Sequence, residues 1–218
     1  MKWRPFPKRK SPKKIDAAAT LTTHIDLLRH GEIEFGQRYC GSSDHPLTQT
    51  GWQQMWTMVG NQSPHWQHIV TSPLIRCAGF AQALGQRYSI PVTRDSRFQE
   101  IHFGNWENRA AAELLQSDAD ALARFWQNPL DHPPPGGEHL PDFEARILSA
   151  WKDIQQQFCG KRVLLITHGG VIRLLMCHLL QHPLERLLDI EVHHASMRHI
   201  CIEPTQSPRI ALTRNLPV

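Results

Sequence analysis

The sequence predicts an α/β fold built on a mostly parallel sheet, and three observations lead there. Short apolar segments alternate along the chain with amphipathic segments of helical period. Two of the apolar segments, residues 25–28 and 162–166, run straight into histidine and glycine, as strands do where they deliver side chains to the carboxyl edge of a sheet. A chain of 218 residues with 40% hydrophobic content also supplies one sizeable core without help from disulfides or metals.

The elements follow in chain order. Residues 1–16 hold seven of the 24 basic residues and a single acid, Asp16, a net of +6; the remaining 17 basic and 19 acidic residues give −2. Residues 1–20 therefore read as a basic arm, and 21–218 as one domain. The arm's charge suits nucleic acid or an anionic membrane surface, with Trp3 and Phe6 as inserting groups. A solvated, disordered terminus is the better reading, because a basic tail with no paired motif is weak evidence for a partner.

Ile25 to Leu28 reads as the first strand. "PLTQTGWQQMWTMVG" has helix-start chemistry at Thr48 or Thr50 and ends at Gly60. His68 to Thr71 is a strand, followed by a helix from about Pro73 to Arg87, and "IPVT" is a third short strand. "RAAAELLQSDADALARFW" reads as one helix, and the proline-rich stretch at 128–141 must be a loop. "PDFEARILSAWKDIQQQF" sets Phe143, Ile147, Trp151 and Ile154 along one helical face. "RVLLITHGG" then repeats the opening strand-to-histidine arrangement and leads into the helix "VIRLLMCHLL".

Several classes are excluded. The five cysteines, Cys40, Cys77, Cys159, Cys177 and Cys201, are odd in number, widely separated and without a CxxC pair, which argues against a disulfide framework or a zinc knuckle. The apolar runs are too short or too interrupted to span a bilayer. With no continuous apolar segment near the start, no export signal is expected, and a cytoplasmic location fits best.

The two histidine-bearing turns carry the chemistry. One strand ends at Arg29-His30-Gly31, the other at Thr167-His168-Gly169-Gly170, and Arg76 follows the strand 68–71 in the first turn of its helix. Two guanidinium groups and two imidazoles at one sheet edge suit a dianionic tetrahedral group, with backbone N–H donors expected from helix N-termini at Gly31 and Gly169. A neutral imidazole there can attack phosphorus and carry the phosphoryl group covalently.

"LLRHGE", "HPLTQTG", "TSPLIRC", "FQEIHFGNWE", "GGEHL" and "ITHGGVIR" stand in the order and rough spacing of the histidine phosphatase superfamily, which the chain resembles from about residue 24 to 203. The resemblance implies a phosphoglycerate-mutase-like, three-layer α/β/α sandwich. It also implies His30 as the phosphorylated nucleophile, Arg29, Arg76 and His168 as ligands of the phosphoryl oxygens, and Glu100 as general acid and then base. Glu100 would need to be protonated near neutrality to serve as that acid. Gly169, Glu32 and Glu138 join the expected substrate contacts, Glu138 from a loop closing over the site. No metal or organic cofactor is expected, since cationic side chains neutralise the phosphate. The short length, the "RYCGSSDHPLT" loop and "FGNWE" look most like the α-ribazole phosphatases, which act in assembling the cobalamin nucleotide loop.

Three positions depart from the family pattern. Ile33 replaces a usual threonine, Gly36 an asparagine that contacts phosphate, and Phe80 a threonine four residues after Arg76; all three are expected to remove polar groups from the pocket margin. Glu107 and Glu32 are acidic neighbours that compete with Glu100 for its role. His178, His182, His193, His194 and His199 lack a carboxylate or cysteine ligand pattern and read as packing or surface residues. Three functions follow: a metal-independent phosphomonoesterase acting on a small phosphorylated metabolite such as α-ribazole 5′-phosphate, a phosphoglycerate-type mutase, or a phospholigand-binding module without turnover.

Overall fold

The computed structural model describes residues 22–60, 64–203 and 209–211; the basic arm expected at residues 1–20 lies outside them. Six strands form one sheet: β1 (Thr23–Arg29), β2 (His68–Thr71), β3 (Val92–Arg94), β4 (Arg162–Thr167), β5 (Met197–Ile202) and β6 (Arg209–Ala211), in spatial order β3-β2-β4-β1-β5-β6. The four strands from β3 to β1 are parallel, and β5 and β6 add an antiparallel edge.

Side chains alternate across the strands and sort the helices into two layers. Ile25, Leu27, Val163 and Leu165 pack under α5 (Leu140–Gln157) and α6 (Gly169–Leu180). Leu28, Ile69, Leu164 and Ile166 face the opposite layer, α1 (Gln49–Val59) and α2 (Ile75–Tyr88). The helix after β1 and the helix after β4 thus lie on opposite faces of neighbouring strands, and a crevice opens at that switch point. A third cluster, Trp106, Leu114, Leu122 and Phe125, gathers around α3 (Ala111–Ser117) and α4 (Ala119–Gln127).

Local chemistry explains the boundaries. Thr48 caps α1, its hydroxyl accepting the Gly51 N–H at 2.9 Å, and Gly60 ends the helix at a φ of 74°. The Asp44 carboxylate accepts the first N–H of α2, from Ile75, at 2.6 Å, and Ser89 closes that helix in a left-handed conformation. The four apolar positions expected along α5 are all buried.

Two expectations are corrected. The segment 109–126 is not one helix: α3 and α4 are separated at Asp118, whose backbone leaves the helical region at φ −152° while its carboxylate accepts the Trp106 indole N–H at 2.9 Å. Gly31 does not open a helix. It lies in the turn after β1, where α1 is still 18 residues away, and a side chain there would collide with the Gly51 backbone. Strands β5 and β6 are additions the sequence pattern did not announce. Among the described residues no helix is long and apolar enough to cross a membrane.

Candidate active site

The β1–β4 register decides what meets what. Arg29 pairs with Thr167, so the next residues, His30 and His168, stand side by side at the carboxyl edge, their rings edge-to-face with centroids 5.3 Å apart. They lie beside a cavity of about 470 Å³ lined in part by Arg29, His30, Tyr39, Glu100, Gly169, Arg173 and His194, within the range of small-molecule pockets.

His30 is buried, and its Nδ1 lies 2.8 Å from the Gly31 carbonyl. A carbonyl only accepts, so Nδ1 carries the proton and Nε2 keeps its lone pair. Burial, reinforced by the Arg76 and Arg29 charges, holds the His30 pKa well below the ordinary histidine range. The ring is therefore unprotonated on Nε2 at neutral pH.

Arg29 extends into the pocket with its NH1 on the Val192 carbonyl at 2.6 Å, while its Nε is buried with no hydrogen-bond partner among the described residues. Burial pushes its pKa down to about 10, with the Glu100 carboxylate opposing that shift, and the group remains a cation near neutrality. A buried, unmatched donor on a cation is costly unless an anion meets it. Gly169, the first residue of α6, lies next to this nitrogen and to the NH1 of Arg173. Arg173, one turn into α6, donates its Nε to the Ile190 carbonyl at 2.8 Å.

Arg76 and His168 stand behind the cavity wall, both fully buried. Arg76 donates NH1 to the Ser43 carbonyl at 2.6 Å, NH2 to the carbonyls of Gly41 at 2.7 Å and Cys40 at 3.1 Å, and Nε to His168 Nδ1 at 3.2 Å. Since Nδ1 of His168 accepts, its Nε2 carries the proton and donates to the Ser72 hydroxyl at 2.7 Å. Burial first, then Arg76, hold this imidazole neutral as well.

The three candidate acids separate cleanly. Glu100 lines the cavity; its Oε2 accepts the Gly170 N–H at 2.9 Å and its Oε1 the Ile101 N–H at 3.0 Å. A Cβ at Gly170 would push the Glu100 carboxylate out of this position. Glu107 instead accepts backbone N–H groups from Gly41, Ser42, Ser43 and Phe103. Loop 40–43 thus gives its N–H groups to Glu107 and its carbonyls to Arg76. Glu32 turns toward the start of α1, with the Thr48 hydroxyl 3.3 Å from its Oε1, and does not line the cavity.

Glu138 is also spent elsewhere. It forms a two-pronged ion pair with Arg146, at 2.6 and 2.8 Å, and Arg146 donates to the carbonyls of Arg97, Gln99 and Glu100. Glu138 therefore holds the Glu100 segment against α5 rather than covering the main cavity. The cavity wall includes Ile33, residues 36–40 and residues 192–194, and no residue of 128–141 is part of it.

The departures from the family pattern also sort by position. Ile33 and Gly36 do line the cavity. Gly36 has φ 72°, a conformation asparagine shares with glycine, so the substitution keeps the backbone and removes a side chain. Phe80 is fully buried between α1 and α2 against Trp52 and Trp56, and is a core residue rather than a margin residue.

Two pocket residues escaped the sequence reading. His194 lies 5.8 Å from His30, ring to ring, and burial pushes its pKa down to about 4. No spacing to His30 foretold it, since it arrives on the turn into the unannounced β5. Arg173 had a signal, standing four residues after Gly169 and so on the same face of α6.

A family model described as the histidine phosphatase superfamily (branch 1) matches residues 25–215. Among solved structures, YhfR of Bacillus stearothermophilus is 31% identical with a TM-score of 0.80, over 87% of this chain and 95% of that one. The α-ribazole phosphatase of Shigella flexneri is 26% identical with a TM-score of 0.74, over 89% and 98%. A relative from Salmonella choleraesuis named "Probable phosphoglycerate mutase GpmB" is 28% identical over 186 residues, 84% of this chain and 86% of its own.

Proposed function

The chain belongs to the histidine phosphatase superfamily, and from that premise we propose that it is a metal-independent phosphomonoesterase working through a phosphohistidine on His30. The observation that carries this reading is the Nδ1 contact of His30 with the Gly31 carbonyl, which leaves Nε2 as a lone pair beside a cavity lined by cations and Glu100.

The chemistry balances as two displacements. In the first, the His30 Nε2 lone pair attacks phosphorus, the ester P–O bond breaks, and Glu100 gives its proton to the departing oxygen. In the second, Glu100 takes a proton from water, the water oxygen attacks phosphorus, the N–P bond breaks, and inorganic phosphate leaves. The unmatched Arg29 Nε and the Arg173 guanidinium receive the phosphoryl oxygens, neutralising charge where it accumulates. Arg76 reinforces that field from behind, and His168 reaches an oxygen by exchanging its Ser72 hydroxyl for it.

The substrate is a small phosphorylated metabolite. Tyr39, Phe103 and Val192 give the leaving-group side an apolar wall, which suits a ring-bearing alcohol such as α-ribazole 5′-phosphate. The relative named as a phosphoglycerate mutase motivates a second reading, return of the phosphoryl group to the substrate. A panel of α-ribazole phosphate, phosphoglycerates, sugar phosphates and an aryl phosphate, assayed in excess chelator, tests both. The proposal expects phosphate release from at least one ester, abolished by His30→Ala. Isomerised phosphoglycerate in excess over free phosphate favours the mutase, and turnover that chelation stops while His30→Ala keeps its rate overturns the mechanism.

A further inference from the structure

At the far end of β1 from His30, we propose a second site: His24, His199 and Cys201 form a binding site for a single thiophilic d¹⁰ cation of the Zn²⁺ class. Strand pairing creates it. In the β1–β5 ladder His24 stands opposite Cys201 and Asp26 opposite His199, so alternate residues of two neighbouring strands present four polar side chains on one face. His24, His199 and Cys201 are each only partly buried.

The donor atoms converge. His24 Nδ1 and His199 Nε2 are 3.3 Å apart, Cys201 Sγ is 3.4 Å from the former and 3.3 Å from the latter. Zinc bonds of ~2.0–2.1 Å to nitrogen and ~2.3 Å to sulfur at tetrahedral angles imply ligand separations of about 3.3–3.6 Å. The three atoms therefore outline one face of a zinc tetrahedron.

The surrounding groups agree with that assignment. Asp26 Oδ1 lies 2.5 Å from His199 Nδ1, and because a carboxylate accepts, the Nδ1 proton is fixed there and the Nε2 lone pair turns toward the other two donors. A carboxylate behind a ligating histidine is the usual outer-shell partner of zinc. Asp26 is itself held, accepting the Trp66 indole N–H at 2.6 Å on Oδ2. On binding, the Cys201 thiol gives its proton to solvent, and thiolate and Asp26 together balance the two positive charges of the ion. His24 also lines an open hollow with His65, Gln67 and Arg162, so the site is reached from solvent.

Six residue steps, about 20 Å at ~3.3 Å per residue, lead from His24 to His30. The site therefore clamps β1 to β5 and is independent of phosphate chemistry. ZnCl₂ titrated calorimetrically into chelator-stripped full-length protein should bind once per chain, raise the melting temperature, and with Co²⁺ give a thiolate-to-metal charge-transfer band. Cys201→Ser and His24→Ala should lose all three signals and retain aryl phosphate hydrolysis. Asp26→Asn, which keeps all three ligands, should weaken Zn²⁺ affinity about 10- to 100-fold. His30→Ala should bind Zn²⁺ normally. Absence of binding, equal affinity in Cys201→Ser, or binding lost in His30→Ala and kept in His24→Ala would each overturn the assignment, the last by placing the ion in the phosphate pocket.

Discussion

Arg29 Nε and Arg173 show how single atoms define the proposed phosphate position. One is a buried donor without a partner among the described residues, the other a guanidinium whose NH1 stands beside Gly169. Arg173→Ala removes a charge-assisted contact to a dianion, an interaction of about 1.5–3 kcal/mol. The expected outcome is a kcat/KM about ten- to a hundredfold lower on every phosphate ester, with the melting temperature nearly unchanged. Steady-state kinetics on two chemically different esters checks it; a loss confined to one ester would place Arg173 on the leaving-group side instead. Arg29, His30 and Gly169 could be placed at the sheet edge from the sequence because each sits at a strand or helix end whose direction the pattern reveals, whereas Glu100, in the irregular stretch after Ser96–Phe98, was picked out only by the family resemblance. Glu32 and Glu138 lie outside the lining of the main cavity, and nothing in spacing tells that Thr48 and Arg146 are their partners.

Loop 40–43 is the element on which the site's electrostatics turn. Its peptide groups are polarised between the Glu107 carboxylate on one side and the Arg76 guanidinium on the other, so an anion and a cation that do not touch fix the same backbone. Burial alone would raise the Glu107 carboxyl, but the Ser43 hydroxyl and the N–H groups of Phe103, Ser42 and Ser43 outweigh it and hold its pKa below the ordinary value. Glu107→Ala leaves several of those N–H groups unpaired and should cost about 3 kcal/mol, read as a lower urea midpoint. It should also lower kcat/KM, because Arg76 loses its frame. Destabilisation with unchanged kinetics would separate the loop from the site. The alternation of strands and helices was readable from periodicity, whereas β5 was not: Met197, His199 and Cys201, on one side of the strand, mix apolar and polar residues that are all only partly buried, without a clean apolar period. Asp118 broke a helical pattern for a tertiary reason, its bond to Trp106, which no local signal announces.

At the scale of the whole molecule, neutral buried histidines tie folding to pH. His30 and His168 have folded pKa values well below those of the unfolded chain, so the unfolded state binds more protons at mildly acid pH. Their contribution is complete above about pH 6.5, the ordinary histidine value, and is lost as pH falls below it. Two such groups give a slope of about 3 kcal/mol per pH unit; His194, at about 4, adds to it, and Glu107 adds a further loss in the carboxylate range. Urea unfolding from pH 7 to 5 should show stability falling with acid, and a flat or inverted dependence would mean that the rings are charged in the native state.

The central claim is that His30 carries the phosphoryl group, and trapping that group tests it most directly. In Glu100→Gln an aryl phosphate still has a good leaving group, so the first displacement proceeds while the second lacks its base. Rapid quenching followed by peptide mass spectrometry should find close to one phosphate per chain, on His30 and absent from the His30→Ala, Glu100→Gln double variant. Phosphate mapped to another residue, or turnover by Glu100→Gln with no covalent phosphate at any time point, would contradict the account.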